Sequence, residues 1–252
     1  MGRLDEFSFA LRTILKFYRW RRIDPVPWAP LRKPLNRSRL ALVSSAGFTL
    51  PGQDLFDTAS RGGDSSFRFI PRGTRVASLH EGHGSDSFDH GGMRQDPNLA
   101  FPLDRVEELA ASGRIGSVNG RHLSMMGAIT APGKLVRKTA PETARALQAD
   151  GVDAALLVPV GPFCNQAVSL VAAELERRGI STVALILLRA VAERVRPPRA
   201  LAVPFPHGYP LDRPDSPSRQ HAVIEAALRL LERADATAPV LADFAAGAGR
   251  TD

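Results

Sequence analysis

Ala154-Ala155-Leu156-Leu157-Val158-Pro159-Val160-Gly161-Pro162-Phe163-Cys164-Asn165-Gln166 is the stretch on which the fold turns. Five apolar residues in a row read as a strand buried on both faces. The Pro/Gly-containing loop after them ends the strand. A helix is expected from about Gln166 to Arg178, ended by Gly179, and Ser181–Leu188 reads as a second buried strand. Strand, loop, helix and strand make a βαβ unit, which forces the two strands to be parallel.

Working outward, Thr139-Ala140-Pro141-Glu142 has capping-box spacing and predicts a helix over 141–150 closed by Gly151. Downstream, 200–203 reads as a further strand and 218–233 as an amphipathic helix. Nearer the N-terminus, Leu40–Gly47 repeats the pattern of an apolar strand running into small residues. Residues 48–100 are rich in Gly, Ser, Asp and His, with short strands expected at 67–70 and 76–79; such a stretch reads as a functional loop. A helix over 103–112, ended by Gly113, and a strand at 115–118 follow, with His122–Gly127 as a loop. The expected fold is α/β, with two Rossmann-like (flavodoxin-like) halves, each with a parallel sheet, and an N-terminal helical arm. The expected units are an arm and Pro-rich linker (1–39), a first half (40–135), a second half (136–233) and a flexible tail (234–252).

The charge supports that division. The 252 residues carry a formal net charge of +7 from 33 basic and 26 acidic residues. Ten of the basic and three of the acidic residues lie in 1–40, which leaves 23 of each in the remainder. A basic body that follows a phosphate backbone is excluded, and no nucleic-acid partner is expected. In the arm, Leu4, Phe7, Leu11, Ile14, Leu15 and Tyr18 recur at helical spacing over residues 4–18. No apolar run is long enough to span a membrane and no secretory leader is evident, so the expected location is cytoplasmic.

Cys164 is the only cysteine, which rules out a disulfide within the chain. It falls at the carboxyl end of a parallel strand, the edge at which open α/β sheets bind ligands. The helix beginning beside it is expected to lower the thiol pKa and favour the nucleophilic thiolate. A buried structural cysteine is the competing reading. Asn165 and Gln166 are candidate donors to a substrate oxygen. His80-Glu81-Gly82-His83-Gly84-Ser85-Asp86, followed by His90, Asp96 and Asn98, forms a second constellation suited to acid–base work. Its spacing matches no recognised zinc pattern, and neither a metal nor a cofactor is expected.

Together with Cys164-Asn165-Gln166, several further segments carry a resemblance. They are Val26-Pro27-Trp28-Ala29-Pro30-Leu31 with Leu42–Gly47, Gly63–Arg68, Asp96-Pro97-Asn98 with Phe101–Arg105, Gly113–Gly116 with His122–Gly127, Asp150–Asp153, and Pro206-His207-Gly208-Tyr209-Pro210-Leu211 with Gln220. In order and spacing over about residues 20–232, the chain resembles the glycine/sarcosine/betaine reductase and D-proline reductase selenoprotein-B-like family. The resemblance implies reductive cleavage of a bond to carbon by a selenocysteine or cysteine that dithiols then regenerate, with Cys164 in that place. It also implies a reductase complex, with a pyruvoyl group on another subunit in the glycine and D-proline systems. This chain has no selenocysteine and no pyruvoyl-forming cleavage site, and Gly161 occupies the slot where relatives often carry a second chalcogen.

The expected function is a Cys-dependent reductase that cleaves a C–N or C–S bond in a small amino-acid-like or sulfur-containing substrate. Cys164 is the expected nucleophile, His83 or His80 the proton donor, and Ser44, Ser45, Asn165, His122 and Asp96 the substrate-binding residues. An external thiol or dithiol is the expected reductant, and the arm the expected contact in a homo-oligomer or reductase complex. Two alternatives remain open. One is a non-redox lyase or isomerase on a racemase-like scaffold, for which Ser44 and Ser45 supply no second thiol. The other is a non-catalytic subunit of a reductase complex.

Overall fold

The apolar runs at Leu40 and Ala154 fold as neighbouring parallel strands at the centre of one sheet. The computed structural model describes residues 4–245. In chain order it contains α1 (Phe9–Phe17), β1 (Arg39–Ser44), β2 (Phe48–Thr49), β3 (Phe67–Pro71), β4 (His80–Glu81), α2 (Gly91–Gln95), α3 (Leu103–Ala111), β5 (Ser117–Val118) and β6 (Arg121–Met125). Then come α4 (Ala140–Ala149), β7 (Ala154–Val158), α5 (Pro162–Arg177), β8 (Ser181–Ile186), α6 (Arg189–Val195), β9 (Arg199–Ala202), α7 (Pro217–Leu231) and β10 (Val240–Asp243).

The main sheet runs β10-β9-β8-β7-β1-β6-β3, with β5 also paired to β1. Every pairing is parallel except β3 with β6. A separate antiparallel pair joins β2 to β4. The fold is thus α/β with a largely parallel sheet, and the two expected halves share that sheet through the β1–β7 pairing. Side chains alternate between two cores. Leu40, Leu42, Leu156, Val158, Val183 and Leu185 face the core shared with α3 and α7. Ala41, Val43, Ala155, Leu157, Ala184 and Ile186 face the one shared with α4, α5 and α6. Helices on both faces explain why these strands are apolar throughout.

Several elements differ from the sequence expectation. Val76–Ser78 is a 3₁₀ turn, not a strand. β6 runs through Arg121–Met125, where a loop is expected over His122–Gly127; Leu123 and Met125 enter one core while His122 and Ser124 point to the other face. That is strand alternation with polar residues buried on one side. Thr139 caps nothing: a helical turn over Leu135–Thr139 runs straight into α4, and the Thr139 hydroxyl donates to Ser65 O at 2.6 Å. α5 begins four residues early because Pro162 occupies its first turn, where no N–H is needed. Within the expected tail, Val240–Asp243 extends the sheet as β10; residues 246–252 lie outside the described residues. Among the described residues, no helix is long and apolar enough to cross a membrane.

Candidate active site

The chain leaves β1 for β6 on one side and returns to β7 on the other. The carboxyl ends of β1 and β7 therefore flank the point where the strand order reverses, the place where open α/β sheets hold ligands. Ser44 and Val158 are register partners at that edge, and the Ser45 N–H donates to Val158 O at 3.0 Å. The Ser45 hydroxyl in turn accepts the Val160 N–H at 3.2 Å, tying the two strand ends together.

Cys164 sits at this crevice in the first turn of α5, wholly buried. Burial pushes its thiol up. Hydrogen bonds with the Ser45 side chain and with the backbone of Val160, Gly161 and Cys164 itself pull the other way. The expected depression at a helix N-terminus is thus overcome by desolvation, and the resting sulfur is a thiol. Gly127 makes this packing possible: a Cβ there would lie 2.5 Å from Sγ and 2.6 Å from Ser45 Cβ.

His83 Nε2 lies 3.3 Å from the Cys164 sulfur. The loop that brings it there is organised by Glu81, whose Oε1 accepts the His83 backbone N–H at 2.7 Å and faces His90 Nδ1 at 3.1 Å. The Ser85 N–H donates to His83 Nδ1 at 3.2 Å, so the ring proton belongs on Nε2 and points at sulfur. Burial, with the charge on His90 adding to it, pushes His83 down to about 3, which keeps the ring neutral near pH 7. Phe88 stacks on His90 with ring centroids 4.4 Å apart and meets His83 edge-on at 5.0 Å. A Cβ on Gly161 would come within 2.8 Å of the Phe88 ring, so Phe88 also closes over the Cys164 loop.

The other sequence candidates are placed differently. Ser45 touches the sulfur environment, while the Ser44 hydroxyl accepts the Ala46 N–H at 3.2 Å and closes its own turn. The Asn165 amide is used by the chain itself. It donates to Gly161 O at 3.0 Å and Pro162 O at 3.1 Å, and accepts the Leu187 N–H at 2.8 Å, bracing the Cys164 loop against the end of β8. His80 is exposed on β4 opposite Thr49, and the structure brings His83 rather than His80 to the sulfur. His122 is buried in β6, where its Nδ1 accepts the Leu42 N–H at 3.0 Å, two residues before the Ser124–Ser44 pair at the sheet edge. Burial, with the Arg72 charge adding to it, pushes it down to about 4. Asp96 accepts from Asn98 N, Asp215 N and Gln220 Nε2, joining the segment before α3 to α7. Glu81, Ser85, Phe88 and Gly127 shape the site but were not singled out as site residues in the sequence. Membership of the His80–Asp86 constellation was the signal for the first two and of the His122–Gly127 segment for Gly127, while nothing in the sequence marks Phe88. Among the described residues, no group of three or more His, Cys, Asp or Glu side chains is placed to hold a metal ion.

This arrangement sets a buried thiol beside a neutral imidazole donor and the Ser45 hydroxyl, at the carboxyl edge of a parallel sheet. Comparison with known proteins agrees with the sequence resemblance. The family model described as glycine/sarcosine/betaine reductase selenoprotein B matches residues 15–160. The chain is 33% identical to D-proline reductase subunit gamma of Acetoanaerobium sticklandii, over 83% of this chain and 85% of that one. It is 28% identical to the glycine reductase complex component B subunit gamma of Carboxydothermus hydrogenoformans, over 82% of this chain and 48% of the relative. It is 29% identical to the sarcosine reductase complex component B subunit beta of Peptoclostridium acidaminophilum, over 74% of this chain and 43% of the relative. The chain thus spans most of the first relative and about half of the other two. No solved structure matches it. With its family match covering more than half of its length and ending within the loop that leads to Cys164, the chain belongs to the glycine/sarcosine/betaine reductase selenoprotein B family.

Proposed function

We propose that this chain is the thiol-bearing component of a reductase complex and that Cys164 cleaves a C–N or C–S bond in a small amino-acid-like or sulfur-containing substrate. The observation that carries this reading is the 3.3 Å approach of His83 Nε2 to the Cys164 sulfur at the β1/β7 edge. Sulfur displaces the nitrogen or sulfur leaving group from carbon and forms a thioether. His83 gives its Nε2 proton to the departing group, and the thiol proton replaces it on the ring. An external thiol then attacks the Cys164 sulfur; the C–S electron pair stays with carbon, which takes up a proton, and a mixed disulfide remains. A second thiol releases Cys164 as its free thiol. In sum, two thiols become one disulfide, and their two hydrogens end on the carbon and on the leaving group. Gly161 leaves no second thiol in the loop, so both reducing equivalents come from outside the chain.

Ser44, at the end of β1, and Ser45, next to it, would donate their hydroxyl hydrogens to a substrate carboxylate or carbonyl oxygen, each hydroxyl oxygen already accepting a backbone N–H from Ala46 or Val160. Partner subunits are expected because the relatives are named as subunits of reductase complexes. A non-catalytic subunit is the second reading, favoured by one observation: the sulfur is wholly buried. Cys164→Ser decides between them. In a complex reconstituted with a dithiol and glycine, sarcosine, betaine or D-proline, substitution is expected to abolish substrate-dependent dithiol oxidation. A mass on Cys164 equal to the substrate less its leaving group, or to the whole substrate where a ring is opened, is the matching covalent signature in the wild type. Full turnover by Cys164→Ser would overturn the catalytic reading.

A further inference from the structure

The Cys164 thiol is wholly buried, so substrate or reductant reaches it only when something moves. Two segments remote in sequence close around it. One is the covering loop that carries His83, Phe88 and Asp89. The other is Pro206–Tyr209. The Gly208 N–H donates to Val160 O at 2.8 Å, in the loop that leads from β7 to Cys164. Gly208 adopts φ +90°, and a Cβ on it would lie 2.1 Å from Asp89 O and 3.2 Å from the Phe88 ring. The Tyr209 hydroxyl donates to Asp89 Oδ2. This segment therefore grips both the nucleophile loop and the covering loop.

What fixes Pro206–Tyr209 is the N-terminal arm. Glu6 Oε2 accepts both the backbone N–H and the Nδ1–H of His207, each at 3.0 Å. The His207 side chain is fully buried, and the Phe7 ring packs on it at 4.6 Å between centroids. The same arm also contacts the first turn of α5 from another side. Tyr18 and Trp20 pack on Phe163 at 5.0 and 5.5 Å between centroids. The Arg21 N–H donates to Gln166 Oε1 at 2.7 Å. Phe163 and Gln166 flank Cys164 on α5.

We propose that the arm is a working part of the Cys164 site, with Glu6 as a positioning residue that acts through His207 and Pro206–Tyr209 to set access to the sulfur. Release of Glu6 frees the segment that holds the covering loop, and the loop then opens more often. The inference rests on the proposed function only in taking Cys164 as the reacting group. Its readout is independent of any reaction, because Cys164 is the only thiol in the chain.

The experiment is the rate at which iodoacetamide alkylates the native full-length protein. Loss of the hydrogen bonds to His207 in Glu6→Ala is expected to raise that rate about tenfold or more by populating the open loop. Glu6→Gln keeps an oxygen that accepts both N–H groups and is expected to stay within about twofold of wild type. Tyr209→Phe removes only the hydroxyl latch and is expected to accelerate alkylation by about threefold; it carries the test if Glu6→Ala does not fold. Arg114→Ala, which breaks the remote bridges to Glu225 and Glu232, controls for general destabilisation. The proposal is overturned if Glu6→Ala and Tyr209→Phe alkylate at the wild-type rate, if Glu6→Gln is as fast as Glu6→Ala, or if Arg114→Ala accelerates the reaction as much as Glu6→Ala does. If Cys164→Ser kept full turnover while Glu6→Ala still exposed the thiol, the catalytic reading would fall and this one would stand.

Discussion

At the scale of single residues, the Cys164 neighbourhood is built by what is missing as much as by what is present. Gly127 leaves room for the sulfur, and Gly161 leaves room for Phe88. A Cβ on Gly161 would also lie 3.3 Å from the Cys164 sulfur, so this position is poised for a second thiol. Gly161→Cys is expected to form a disulfide with Cys164 under mild oxidation, faster when Phe88 is truncated in the same protein. A thiol titration that still finds two free thiols after oxidation would refute that geometry. His83 illustrates how a neighbour sets a role. Because the Ser85 N–H occupies Nδ1, the ring presents Nε2–H to sulfur and acts as a donor there. His83 and His80 are equally plausible in the sequence. Only the pairing of β2 with β4, which turns His80 to solvent, separates them.

At the scale of elements, the Pro-rich linker is held by a buried charge pair. Glu176 of α5 and Arg199 of β9 are both fully buried and lie 2.5 Å apart, with the guanidinium 3.6 Å above the Trp28 ring. Glu176 also accepts the Ala29 N–H and the Thr182 N–H and hydroxyl, while Arg199 donates to Ala29 O at 2.7 Å. One pair thus fastens the linker to α5, β8 and β9. Removing one partner strands the other charge in the interior, and Glu176→Gln is expected to lose about 3–5 kcal/mol by chemical denaturation. A loss below about 1 kcal/mol would mean that the pair contributes little beyond packing. The strands β1, β7 and β8 were legible as apolar runs. β6 was not, because three of its five residues are polar, and two of these, His122 and Ser124, are buried only by partners far away in sequence. The same reason hid α5's first turn: Pro162 reads locally as a loop breaker, and only packing makes it a helix start.

At the scale of the whole molecule, two neutral histidines set how stability depends on pH. Burial lowers His83 to about 3 and His122 to about 4, from an ordinary 6.5. Between pH 6.5 and about 4 the unfolded chain protonates both rings while the folded chain keeps them neutral. The unfolded state binds more protons in that window, so stability falls as pH is lowered through it and is fully present above 6.5. Each ring contributes a slope of up to about 1.4 kcal/mol per pH unit. Urea midpoints measured at pH 7, 6 and 5 are expected to fall in step, and more shallowly in His83→Asn. A flat profile would show that these rings are solvated when folded. The excess charge belongs to this scale as well. The arm that carries it is packed onto its own body through Phe7, Leu15 and Ile23, while Phe9, Ile14 and Phe17 stay exposed on α1.

The sequence by itself determined the α/β class, the parallel βαβ unit, the place of Cys164 after a buried strand and the family to which the chain belongs. These follow from local patterns: apolar runs, glycine stops and ordered motifs that need no knowledge of distant residues. Only the tertiary structure decided that both strand ends meet in one sheet, that His83 is the histidine beside the sulfur and that Asn165 braces the loop. Only it decided that burial outweighs the helix terminus at the thiol. Those outcomes depend on contacts between residues 22 to 115 positions apart, and on how completely water is excluded once they are made.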